Sequence, residues 1–115
     1  MSEKDELRIE PEKLVQAWQE TLPEVMNRPD RSVVAMDEAD PRSLRITIYS
    51  AGHQMYAFDF KVTYVDSREV KVELIDVEKN DRTIDERNDI IQQLIEDYTR
   101  HLHECAQALH RLTHV

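Results

Sequence analysis

The stretch "LRITIYSAGHQMYAFDFKVTYV", residues 44–65, decides the fold. On each side of a central break, apolar side chains recur at every second position. Leu44, Ile46 and Ile48 share one face of a strand, with Arg45, Thr47 and Tyr49 on the other. Tyr56, Phe58, Phe60, Val62 and Tyr64 likewise share a face, opposite Ala57, Asp59, Lys61 and Thr63. A period of two belongs to β-strands, not helices. Clean alternation marks an antiparallel sheet with one covered face and one wet face.

The break sets the register. A three-residue loop, Ser50-Ala51-Gly52, would place Ile46 opposite Tyr56 and Leu44 opposite Phe58. The single glycine would then take the loop position that needs a positive φ. A two-residue turn would shift the pairing by one residue and turn the aromatic rings to water. Farther along, "VKVELIDV" (70–77) continues the alternation with Val70, Val72 and Leu74 inward. A hairpin loop at Asp66-Ser67-Arg68 predicts Phe60 opposite Leu74, Val62 opposite Val72 and Lys61 opposite Glu73. If this strand is regular, Glu73 and Asp76 point to opposite faces. Val34 and Met36 mark a short first strand.

Helical spacing flanks the strands. Leu14, Val15, Trp18, Leu22, Val25 and Met26 form one apolar stripe from about residue 11 to 26, with Pro11 in the first turn. Pro23 lies inside that stripe and predicts a kink, or a break with a short second helix at 23–27. "NRPD" (27–30) ends the segment. At the other end, Thr83 and Glu86 form a capping-box pattern. Ile91, Ile95, Tyr98, Leu102, Cys105, Leu109 and Leu112 then step alternately by four and three, a heptad pattern. Together they predict one helix over 84–113. At about 1.5 Å per residue such a rod reaches ~45 Å, whereas an eight-residue strand spans ~27 Å. A helix that outruns its sheet needs another partner. Self-association along Ile91, Ile95, Tyr98, Leu102, Leu109 and Leu112 is the natural candidate, giving a homodimer.

The expected architecture is a two-layer α+β domain. It has an N-terminal helix, a four-stranded antiparallel meander and a long C-terminal helix, with both helices on one sheet face. At 115 residues the chain makes one domain, residues 10–115, after a flexible tail at 1–9 in which Leu7 and Ile9 are the only docking groups.

Composition restricts function. A net charge of −9 disfavours nucleic acid and anionic membrane, both of which need clustered Lys and Arg. No apolar run has membrane-spanning length, and the charged start "MSEKDELRIE" has no signal core. A single cysteine forms no internal disulfide, so the expectation is a cytoplasmic protein.

The chain ends in "RHLHECAQALHRLTH" (100–114), with four histidines and the only cysteine. Of these, His110 and His114 have the i,i+4 spacing that two metal ligands on one helix need, but no third ligand is evident. The histidines read as solvated groups in the last turns, favoured by the negative end of the helix dipole. Cys105 lies at a heptad core position far from a helix N-terminus and reads as a buried, inert thiol. Asp97 and His101 are spaced to pair on the helix surface. One glycine excludes a phosphate-cradling loop, and there is no G-x-S-x-G elbow. No catalytic residue, cofactor site or metal site is therefore assigned. The leading expectation is a small acidic interaction or regulatory domain without catalysis, binding a protein partner or itself. The alternative is a small-molecule or enzymatic pocket between sheet and helices, built on Tyr56, Tyr64, Tyr98 and His101.

Overall fold

Helix α1 (Pro11–Val25) is the first element and crosses the back of a sheet. The structure, a computed structural model, describes residues 7–26, 30–50, 56–79, 82–83 and 89–114. Strands β1 (Arg31–Met36), β2 (Ser43–Tyr49), β3 (Tyr56–Tyr64), β4 (Val70–Lys79) and the two-residue β5 (Arg82–Thr83) follow in chain order. They lie side by side in that same order, each antiparallel to the next. Helix α2 (Asp89–Ala108) and a single turn, α3 (His110–Thr113), complete the chain. The α+β meander with both helices on one face is as the alternation required, with β5 as a short addition beyond the fourth strand.

Leu14, Trp18 and Leu22 of α1 and Ile91, Tyr98, Leu102 and Cys105 of α2 are buried. They meet Leu44, Ile46, Ile48, Phe58, Phe60, Val62 and Tyr64 in one core cluster, to which Leu7 and Ile9 add partly buried contacts. Each large apolar side chain buried in this way contributes roughly 1.5–3 kcal/mol. Two aromatic contacts order the interior. The Trp18 indole N–H donates to the Tyr64 hydroxyl at 3.1 Å. Tyr98 packs edge-on against Phe58, with ring centroids 5.1 Å apart.

Pro23 does not break α1: one helix runs through it to Val25. The proline stands in the last turn, between the buried Leu22 and Met26, and the Met26 N–H still reaches the Leu22 carbonyl at 3.1 Å. Burial on either side of the ring holds the turn despite the missing donor.

The β3–β4 register agrees with the expected hairpin: Phe60 faces Leu74, Val62 faces Val72 and Lys61 faces Glu73. The β2–β3 register differs. Tyr49 pairs with Ala57, Ile48 with Phe58, Ile46 with Phe60 and Leu44 with Val62, and the Ser50 N–H donates to the Tyr56 carbonyl at 2.9 Å. The shift from the three-residue-loop pairing is four residues, an even number, so every side chain keeps its expected face. The expected register would have set Ile48 opposite Gln54; the observed one sets three apolar residues against three, and cross-strand packing decides. Ala51 and Gly52 lie outside the described residues.

The long C-terminal helix is present as Asp89–Ala108, and its expected span of 84–113 is revised at the far end. Residues 84–88, including Glu86, lie outside the described residues, and Thr83 belongs to β5. Helix α2 gives way at Leu109, whose N–H is shared between the Cys105 and Ala106 carbonyls. With 20 residues, α2 is about 30 Å long. The ten residues of β4 span about 33 Å. Among the described residues, the helix does not outrun the sheet.

The outer edge of β1 is shielded. On the free edge of β1, the Gln19 carboxamide donates to the Ser32 carbonyl at 3.2 Å and accepts from the Val34 N–H at 2.8 Å. One side chain thus occupies the slot an added strand would use. Inside the sheet, the β3–β4 ladder is interrupted by a bulge between the pairs Asp59–Asp76 and Phe60–Leu74, which leaves Ile75 unpaired.

Candidate functional site

The bulge in β4 matters most for the uncovered face of the sheet. In a regular strand Glu73 and Asp76 would diverge; one extra residue turns both to the open side, beside Glu78. Val77 is thereby sent inward against Phe58, where it is fully buried. Across this face run three rows of register partners. The first is Arg31, Tyr49, Ala57 and Glu78; the second Val33, Thr47, Asp59 and Asp76; the third Ala35, Arg45, Lys61 and Glu73.

The face is divided chemically. On the β1–β2 side Val33 is 52% exposed and Tyr49 40% exposed. On the β3–β4 side, one carboxylate oxygen each from Asp59, Asp76 and Glu78 lies within 4.8 Å of the others. Asp59 and Asp76 stand directly opposite each other, a like-charge pairing that destabilises a sheet. Asp59 is oriented by the Thr47 hydroxyl, which donates to it at 2.7 Å. Asp76 accepts the Val77 N–H at 2.9 Å. The basic groups of the third row lean away from this cluster. Arg45 and Lys61 reach Asp37, at 3.9 and 3.6 Å, and Glu73 takes Lys71 at 3.7 Å. The Ala39 backbone N–H lowers the Asp37 carboxyl below its usual range, and the charges of Lys61 and Arg45 add to this.

The expected self-association seam is divided by the fold. Ile91, Tyr98 and Leu102 are buried in the chain's own core, and Ile95 and Leu109 are partly buried against it. Leu112 is 43% exposed. The residues of the expected internal pocket do not converge. Tyr56 and Tyr64 sit at opposite ends of β3, and the Lys79 ammonium lies over the Tyr56 ring, 5.7 Å from its centre. Burial pushes the Tyr64 hydroxyl up to about 12, against the pull of the Trp18 hydrogen bond. Burial likewise raises Tyr98, and the Asp30 carboxylate, 3.3 Å from its hydroxyl, adds to the shift.

The histidines are not uniformly outside. His101 is only 8% exposed, and its buried Nδ1 has no hydrogen-bond partner among the described residues; the Glu104 carboxylate lies 3.7 Å from it. Asp97 does not pair with it; Arg100 lies 3.5 Å from Asp97 instead. The end of the chain is docked rather than frayed. The Thr113 hydroxyl donates to the Ser67 carbonyl at 3.1 Å, and His114 Nδ1 lies 2.7 Å from the Ser67 hydroxyl. Arg68 Nε donates to His114 Nε2 at 3.4 Å, which assigns the His114 proton to Nδ1 and makes Ser67 its acceptor. His110 stacks on His114, with ring centroids 5.1 Å apart. Burial pushes the Cys105 thiol up to about 12, so it is no nucleophile near neutral pH.

Residue spacing alone missed the carboxylate trio, although a signal was present. Leu74 and Ile75 are adjacent apolar residues in an alternating strand, and such a doubling marks a bulge. No family model, curated protein or solved structure matches the chain. The molecule is a two-layer α+β protein.

Proposed function

We propose that this protein is a small cytoplasmic interaction or regulatory domain without catalysis of its own, which docks a basic protein segment on the open face of its sheet. One observation carries the reading: exposed Val33 and Tyr49 lie on the same uncovered face as the carboxylates of Asp59, Asp76 and Glu78. An amphipathic segment would lay apolar side chains on the first group and Lys or Arg on the second. The acidic face repels phosphate backbones, which favours protein over nucleic acid as partner. No described helix is long and apolar enough to cross a membrane. Self-association along the heptad would require Ile91, Tyr98 and Leu102 to leave the core, so a homodimer is better served by another surface. A pocket between sheet and helices finds less support, because aromatic rings fill that space.

A photo-crosslinking residue at position 33, compared with one at position 12 on α1, tests the reading in living host cells. The expected product forms from position 33 alone and joins a Lys- or Arg-rich peptide. Equal labelling from both positions, or none from position 33, would remove the proposal.

A further inference from the structure

The two edges of the sheet differ. The Gln19 carboxamide occupies the edge of β1. On β4 the outer neighbour β5 takes only Glu78 and Lys79. From Val70 to Leu74, among the described residues, no strand and no side chain bonds to the outer edge of β4. We propose that this edge pairs with the same edge of a second copy, giving a two-fold dimer with one continuous sheet. The inference goes beyond the docking of a basic segment and does not depend on it, because it uses the strand edge and not the open face.

Backbone parity sets which groups are available. The Ser50 N–H reaches the Tyr56 carbonyl and the Tyr64 N–H the Arg42 carbonyl, so the even-numbered residues of β3 bond to β2. The Val65 N–H reaches the Glu69 carbonyl, and the odd-numbered Lys61 and Thr63 face Glu73 and Lys71. Lys71 and Glu73 thus direct their backbone groups to β3, and Val70, Val72 and Leu74 turn theirs outward. Only pairings that set even residues against even ones are open to this edge.

Side chains choose among those pairings. With the two-fold axis at Lys71, two lysines face each other; at Glu73, two glutamates do, and like charges directly opposite destabilise a sheet. With the axis at Val72, Lys71 of each chain faces Glu73 of the other, Val70 faces Leu74, and Val72 faces itself. An axis at Val70 or at Leu74 carries one chain past the free stretch, onto the hairpin loop or the bulge at Ile75. The segment Val70–Leu74 is therefore complementary to its own reverse in one register. Lys71 already lies 3.7 Å from Glu73 of its own strand. That pair is exposed and weak, and the second copy adds an opposite charge to each group without displacing it.

Both layers continue across the axis. An axis normal to the sheet keeps the two helix layers on one side and the two open faces on the other. On the helix side Val70, Val72 and Leu74 are only partly buried against the core; the same residues of the second copy complete their cover. Helix α2 does not close over this edge. Beside Val70 a cleft of about 390 Å³, lined also by Arg68, His103, Ala106 and His110, opens between strand and helix. Val70, Val72 and Leu74, with one N–H and one carbonyl each, give about six hydrogen bonds across the axis. The bulge at Ile75 and strand β5 keep the joint short, so the dimer belongs to the weak, concentration-dependent class.

Sedimentation equilibrium of the full chain, joined to amide hydrogen exchange, tests this. The mass is expected to rise from 13.6 kDa toward twice that value between about 10 µM and 1 mM. Over the same range exchange at Val70, Val72 and Leu74 should slow. Lys71→Glu sets like charges across the axis, and so does Glu73→Lys; each alone should weaken dimerisation about tenfold. An equimolar mixture of the two variants sets opposite charges in both pairs and should restore it. Both side chains lie at the surface, and far-UV circular dichroism checks that each variant keeps the fold. A monomer at every concentration would overturn the proposal. So would a dimer in which the three amides exchange as in the monomer, or a mixture no heavier than either variant alone.

Discussion

The two faces of one sheet follow opposite rules. On the covered face, Leu44, Ile46 and Ile48 meet Val62, Phe60 and Phe58 in apolar pairs, and two helices exclude water from them. On the open face, the partners of the same strands place a carboxylate against a carboxylate and leave Val33 and Tyr49 bare. Local and global preferences agree on the first face and conflict on the second. Such conflict in a folded protein is a pointer to function, because stability alone would remove it. The bulge at Ile75 links the two faces, since it puts Val77 in the core and Asp76 on the surface with one backbone irregularity.

Substitutions should separate the faces by size and by sign of effect. Trp18→Ala removes the largest buried side chain and should cost about 3–5 kcal/mol, read by denaturant unfolding. The covered face also predicts an alkaline limit. Cys105 is raised to about 12 from the ordinary 9.0, and Tyr64 to about 12 from 10.0. Both are neutral acids whose folded-state values lie above their unfolded ones, so their stabilisation is full below about pH 9 and is lost as pH rises toward 12. Urea midpoints between pH 7 and 11 should fall only above about 9; a flat profile would contradict the burial of both groups. Gln19→Ala should cost about 1 kcal/mol by leaving the Val34 N–H and Ser32 carbonyl without a protein partner. It should also introduce concentration-dependent association along the bared β1 edge, visible by sedimentation as a rise in mass relative to the parent chain at the same concentration.

The open face should respond in the other direction. Asp76→Asn relieves the like-charge pair and should raise stability by about 0.2–1 kcal/mol, with the gain shrinking in high salt. A loss of stability there would mean that the Asp76 carboxylate is structural, and the contrast between faces would fail. Val33→Ser should change stability least, by no more than about 0.5 kcal/mol, while reducing crosslinking from the neighbouring positions of the face.

Much of this was legible from side-chain alternation. The strands from Leu44 to Val77, their inward set and the helix stripe through Leu14, Trp18 and Leu22 all follow from spacing. The Asp66-Ser67-Arg68 hairpin followed because Val65 and Glu69 close it with a backbone bond at 2.9 Å. The β2–β3 register was read four residues short, because face parity restricts a register only to even steps. His101 was placed outside and lies inside, since a histidine's position on a helix depends on what packs against that helix. The docked end of the chain was hidden for the same reason: Ser67 and His114 are 47 residues apart.

By itself the amino-acid order determined which side of each element is apolar, and hence that a sheet is covered by helices on one side, because burial of apolar area is local in pattern and dominant in energy. Tertiary structure alone decided the register, the bulge that gathers Asp59, Asp76 and Glu78, the break at Leu109 and the cleft beside Arg68. Each depends on contacts between residues distant in the chain, whose geometry no spacing rule encodes.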